Sequence, residues 1–93
     1  MDLTHGDVLD GGKELLSNVP MYISADDGYA QWGGCLHLKR QNGDLLRSGE
    51  YRIRLRDGRL GNIVVRKVIS TNGAHHLEVL FEGRGELAQR RAG

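Results

Sequence analysis

Alternation of apolar and charged side chains over residues 50–56 constrains the fold of this chain more than any other sequence feature. Tyr51, Ile53 and Leu55 fill one set of alternate positions, and three arginines fill most of the other. Because successive side chains of a β-strand point to opposite faces, this period predicts a strand buried on one side and solvated on the other. Asp57-Gly58 follows directly and predicts a hairpin turn, since glycine tolerates the positive φ that such turns need.

Four further segments also carry strand signals. Alternation recurs over residues 19–24, 31–39 and 76–82, and the β-branched apolar run within 60–69 favours a strand over a helix. Fourteen glycines are spread along the chain, as expected for the turns between many short strands. We therefore predict an all-β fold, a small antiparallel barrel or strongly bent sheet of about five strands, SH3-like or OB-like. Closing the sheet lets so few residues bury one face.

The alternation also predicts a core and a register. A β-bulge at Gly61-Asn62 is expected to align the two strands of the arginine-bearing hairpin, pairing Ile53 with Ile63 and Tyr51 with Val65. The predicted core comprises Trp32, Leu36, Leu38, Tyr51, Ile53, Leu55, Ile63, Val65, Leu77, Val79 and Phe81.

The length of 93 residues allows one domain. Residues 1–12 are acidic, hold three of the fourteen glycines and show no sustained apolar period, so we expect a flexible N-terminal segment there. Residues 13–93 are expected to form a single small β domain. An apolar content of 39% is too high for a disordered polymer.

The single cysteine excludes a disulfide within the chain, which fits a reducing compartment. No stretch approaches the roughly 18 apolar residues of a membrane-spanning helix. We therefore expect a cytoplasmic protein without a membrane partner.

Charge is strongly polarised along the chain although the total is only +1. Residues 1–38 carry six acids and one base, whereas residues 39–70 carry nine bases and three acids. Seven of those nine bases are arginine, which is favoured over lysine where carboxylate or phosphate is bound in a bidentate manner. The candidate residues for binding an anion or a partner are Arg52, Arg54, Arg56, Arg59 and Arg66.

Two interpretations of the row formed by Arg52, Arg54 and Arg56 on one strand face remain open. The row could be a solvated outer face whose arginines pair with Glu78, Glu82 or the acidic first third of the chain. Alternatively, side chains spaced ~6.5 to 7 Å apart along a strand could follow the phosphates of a single nucleic-acid strand. The arginine face lacks the aromatic side chains on which bases stack, and this argues against nucleic acid.

Residues with potential chemistry do not combine into a catalytic or metal site. His75 and His76 are adjacent, so on a strand they would point to opposite faces and could not easily share one ion. Cys35 follows two glycines on a predicted strand, where no helix N-terminus would depress its pKa. We expect no enzyme activity, no metal and no cofactor.

The sequence thus predicts a non-enzymatic β-domain that acts as a protein-interaction or regulatory module. The alternative function is binding of nucleic acid or another anionic ligand through the arginine face.

Overall fold

The computed structural model describes residues 2–25, 31–70 and 75–89. The strands in these ranges are β1 (Asp2–Asp10), β2 (Lys13–Ala25), β3 (Trp32–Lys39), β4 (Gly49–Leu55), β5 (Arg59–Ser70) and β6 (His76–Gln89). A short 3-10 helix (Arg40–Leu45) follows β3. All pairings are antiparallel, and the strands close into a barrel in the order β1-β2-β3-β6-β5-β4. The predicted small all-β barrel is confirmed, with six strands rather than about five.

Alternate side chains from all six strands fill the barrel. Every predicted core residue is buried except Tyr51, which is partly buried and packs against the cluster. The cluster also contains residues outside the predicted set, namely Val8, Leu16, Val19, Met21, Ile23, Leu46 and Leu87. No polar or charged side chain is buried in the described part of the chain, so apolar burial supplies the main driving force for folding.

Trp32 lies against two glycines inside the barrel. A Cβ added to Gly83 would collide with the indole ring, and one added to Gly61 would come within 2.6 Å of its Cζ2. The indole Nε1–H donates a 2.8 Å hydrogen bond to the carbonyl oxygen of Gly85, and the ring packs edge-on against Phe81. Trp32 is therefore a core anchor, and both glycines are required because nothing larger fits beneath it.

The register of β4 and β5 is not the predicted one. Ile53 pairs with Gly61, and Tyr51 rather than Ile53 pairs with Ile63. The β4–β5 ladder is regular, so the expected bulge in this hairpin is wrong. The irregularity near Gly61 lies instead in the pairing of β5 with β6. The physical reason is that Gly61 faces the interior, where it leaves the space occupied by Trp32.

Residues 2–10, which the sequence places in a flexible segment, form β1 in the structure. This strand pairs with β2, and from Gly6 to Leu9 it also pairs with β4. Val8 is fully buried and Leu9 nearly so. The inward position at Gly6 has no side chain because a Cβ there would come within 2.7 Å of the carbonyl oxygen of Arg54. Because Gly6 has no side chain, the alternation of inward apolar residues along β1 is not visible in the sequence. The barrel therefore includes residues 2–10, which we expected to lie outside it.

Alanine at position 83 should lower the free energy of unfolding by about 1 to 3 kcal/mol, because the added methyl group forces the Trp32 ring out of place. The matched control is Gly12→Ala, since a Cβ at Gly12 meets nothing within 4 Å. It should change stability by no more than about 0.5 kcal/mol. Chemical denaturation followed by tryptophan fluorescence measures both variants. Equal stability of Gly83→Ala and the parent would show that the indole does not lie on Gly83.

Candidate functional site

The five candidate arginines do not form one continuous row. Arg52 and Arg54 lie on the outer face of β4, where exposed and buried positions alternate as predicted. Arg56 lies in the turn after β4, and Arg59 begins β5. Arg66 is near the other end of β5. The structure therefore separates the candidates into distinct local environments.

Arg54 is held by two carboxylates from the acidic first third of the chain. Its guanidinium donates hydrogen bonds to Asp7 Oδ2 at 2.7 and 3.1 Å and to Glu14 Oε1 at 3.2 Å. This cluster joins β4 to β1 and β2, as expected of an ion-paired outer face. The charge of Arg54 is largely compensated, so this residue is a poor candidate for binding an external anion.

The contacts of this cluster also lower the pKa of the Asp7 carboxyl. Partial burial of the carboxyl raises its pKa, but the hydrogen bond from the Asn18 N–H at 2.9 Å and the guanidinium of Arg54 together outweigh that effect. The pKa of Asp7 consequently lies below its usual value. The hydrogen bond and charge of Asp7 raise the pKa of Arg54 in turn.

Two further candidates also have carboxylate partners. Arg59 Nε donates to Asp57 Oδ2 at 2.8 Å, and the other oxygen of Asp57 accepts the Arg59 backbone N–H at 3.0 Å. Arg66 contacts Glu82 on the neighbouring strand at 3.0 Å, the pairing expected for a solvated face. The first pair stabilises the hairpin turn, and the second is an exposed cross-strand pair.

Arg52 differs from these three residues. Its Nε donates a 3.1 Å hydrogen bond to the neutral side chain of Asn62, and it has no ion pair with a carboxylate in the described ranges. Asn62 orients the guanidinium without neutralising it. Arg52 therefore keeps both its charge and donors for an external anion.

Arg84, which was not among the candidates, lies on the other side of Asn62. The register pairs Asn62 with Arg52 on β4 and with Arg84 on β6, so the two arginine Cα atoms are about 10 Å apart across the sheet. Glu50 is 3.8 Å from Arg84, and both side chains are more than 60% exposed. Screening by water makes so long and exposed a pair weak.

These residues line an open cleft of about 460 Å³, which we call the arginine cleft. Arg52, Asn62, Arg84 and the acidic Glu50 form its polar surface, and the partly buried Tyr51 contributes to its apolar surface. The Tyr51 hydroxyl accepts the backbone N–H of Arg47, and its ring packs against the core. An anionic side chain entering the cleft would meet two arginines and one neutral amide, with the carboxylate of Glu50 beside Arg84.

The other residues with potential chemistry show no activated group. Cys35 is half-buried, and burial together with the negative charge of Glu78 raises the pKa of its thiol. The thiol is therefore protonated at neutral pH, which disfavours nucleophilic attack. Among the described residues, no three His, Cys, Asp or Glu side chains are grouped so that they could hold a metal ion. The described residues also include no helix with the length and apolar character needed to cross a membrane.

Comparison of the chain with protein-family models, curated proteins and solved structures gives no match in any of the three.

Replacing Asp7 by Asn should destabilise the protein at neutral pH and have a smaller effect in acid. A carboxyl whose pKa is lowered on folding contributes stability above its unfolded pKa of about 3.9, and that contribution is lost as the pH falls through the folded value. The gap between the thermal midpoints of parent and variant should therefore close below about pH 4.

Asp10→Asn is the matched control, because Asp10 lies on the same strand without an ion pair to any described residue. Its effect should be smaller at pH 7. A gap for Asp7→Asn that stays constant from pH 7 to pH 2 would contradict the assigned role of Asp7.

Proposed function

We propose that this chain is a non-enzymatic interaction module that binds an acidic segment of a partner protein through the arginine cleft. The observation that carries the proposal is the state of Arg52. It is oriented by Asn62, exposed to solvent and without a carboxylate partner in the described structure. The neighbouring Arg84 adds a second cation whose only described counter-ion is 3.8 Å away.

The geometry of the cleft favours carboxylates presented by a polypeptide. Arginine binds a carboxylate through two parallel N–H donors, which gives orientation as well as attraction. Two arginines on strands β4 and β6 can engage two acidic side chains, one of which would displace Glu50 from Arg84, and the partly buried Tyr51 adds an apolar contact. A mixed polar and apolar surface of this kind is typical of protein interfaces.

The same features support nucleic acid less well. Arg54 is paired with Asp7 and Glu14, so the row of Arg52, Arg54 and Arg56 no longer offers evenly spaced free cations along β4. Tyr51 is the one aromatic side chain among the described residues that line the cleft, and its ring is partly buried against the core, so the cleft offers little area on which bases could stack.

The test compares an acidic twelve-residue peptide with a single-stranded DNA of equal charge in fluorescence anisotropy titrations. Arg52 and Arg84 are changed together to Ser. Loss of two exposed ion pairs of ~0.7 to 1 kcal/mol each should weaken binding of the peptide by about tenfold to thirtyfold.

A charge-matched control changes Arg47 and Lys67 together to Ser. Both side chains are exposed, lie outside the arginine cleft and have no ion pair with a described carboxylate. This control should retain affinity to within about threefold, since it removes only long-range attraction. Equal loss in both double variants would mean non-specific attraction. If the parent bound the DNA more tightly than the peptide, and the change of Arg52 and Arg84 abolished that binding, the ligand of the cleft would be a nucleic acid and not a protein.

A further inference from the structure

A second surface lies on the opposite side of the barrel, where β1, β2 and β3 are neighbours. Leu3 is 61% exposed and lies directly opposite Tyr22 on the next strand. The Tyr22 ring packs edge-on against the ring of His37, with their centroids 5.3 Å apart. A large apolar side chain and two aromatic rings are thus clustered on the outer face of the barrel.

These side chains line a depression of about 440 Å³ together with Pro20, Lys39 and His76. We call it the aromatic groove. The β2–β3 ladder runs from Met21 to Ala25 and does not include Pro20, which has no N–H to donate. The aromatic groove opens at Pro20, where the pairing of β2 with β3 ends. The groove therefore follows from the backbone of β2 as well as from its side chains.

One end of the aromatic groove is basic. Lys39 and His76, which pair across β3 and β6, also line an adjoining depression of about 620 Å³ that contains Arg40 and His75. None of the described residues that line the two depressions is acidic. Glu78 is the Cα partner of His37 but lines neither depression. The aromatic groove thus combines an apolar part with the positive charge of Lys39, which has no ion pair with a described carboxylate.

We infer that the aromatic groove binds an extended segment of a partner protein that carries an apolar side chain close to a carboxylate. The apolar side chain would pack on Leu3, Pro20 and Tyr22, and the carboxylate would pair with Lys39. Charge complementarity with Lys39, together with the exposed apolar side chain of Leu3 beside it in the groove, favours this occupant. A second copy of the chain fits less well, since a two-fold contact would bring two basic rims into one interface.

The aromatic groove is separate from the arginine cleft. The groove is centred on β2 and β3, whereas the cleft is centred on β5, on the far side of the closed ring of strands. None of the described residues lines both the groove and the cleft. This inference therefore does not depend on the proposed function, and each can fail alone.

The probe is a library of ten-residue peptides containing Phe-x-Glu, with the other positions randomised. Residues two apart in an extended chain share a face, so both side chains can meet the groove. Selected peptides are titrated into the full isotope-labelled chain and followed by amide chemical shifts. Shifts should concentrate at Leu3, Tyr22, His37 and Lys39. Replacing Phe by Ala or Glu by Gln in the peptide should each weaken binding by about fivefold or more.

Two variants test the protein side. Leu3→Ser removes the exposed apolar contact and Lys39→Glu reverses the rim charge, and each should reduce affinity by at least about fivefold. Their matched controls are Val68→Ser, at a residue 40% exposed, and Lys67→Glu, both outside the groove on β5. These controls, and the double change of Arg52 and Arg84 to Ser, should leave affinity within about twofold.

Three outcomes would overturn the inference. The first is that no peptide binds with a Kd below about 1 mM. The second is that Leu3→Ser and Lys39→Glu bind as tightly as their controls. The third is that Leu3→Ser abolishes a self-association of the parent chain while peptide binding is absent, which would assign the surface to a second copy.

Discussion

The packing of one indole ring on two glycines fixes the arrangement of the barrel. Trp32 needs the space that side chains at Gly61 and Gly83 would take, and its N–H is bound by the carbonyl of Gly85. These contacts set how β5 and β6 lie against each other. The register in turn places Asn62 beside Arg84. A shift of one residue would turn these side chains to the opposite face, so the arginine cleft depends on an interaction inside the barrel.

The fold class follows from local pattern, whereas the register does not. Alternation over residues 50–56 predicts both the inward and the outward side chains of β4, because the period of a strand is a property of its own backbone. The predicted partner of Ile53 was another large apolar residue. Its partner is Gly61, because a tryptophan from β3 fills the space, and no local pattern contains that information.

The candidate site, like the fold, could be predicted only in part from the sequence. Arg52 could be selected from its place in the alternation, but its distinction from Arg54 arises from acids on β1 and β2 that are distant in sequence. Arg84 was not selected because its relation to Arg52 depends on two successive strand pairings. Folding thus neutralises part of the positive charge of residues 39–70 by pairing arginines with acids from β1 and β2. Which arginines keep their charge can be read only from the folded structure.

Closure of the barrel has a consequence for how the chain folds. One seam of the barrel joins β1 to β4, and its ion pair between Asp7 and Arg54 spans 47 residues of sequence. Pairing of such distant segments carries a large entropic cost before contacts form, so folding on a timescale of milliseconds to seconds is expected. Until the seam closes, β1 and β4 expose unpaired backbone donors and acceptors to other chains. The salt bridge at the seam thus stabilises the state in which neither strand can act as a template for aggregation.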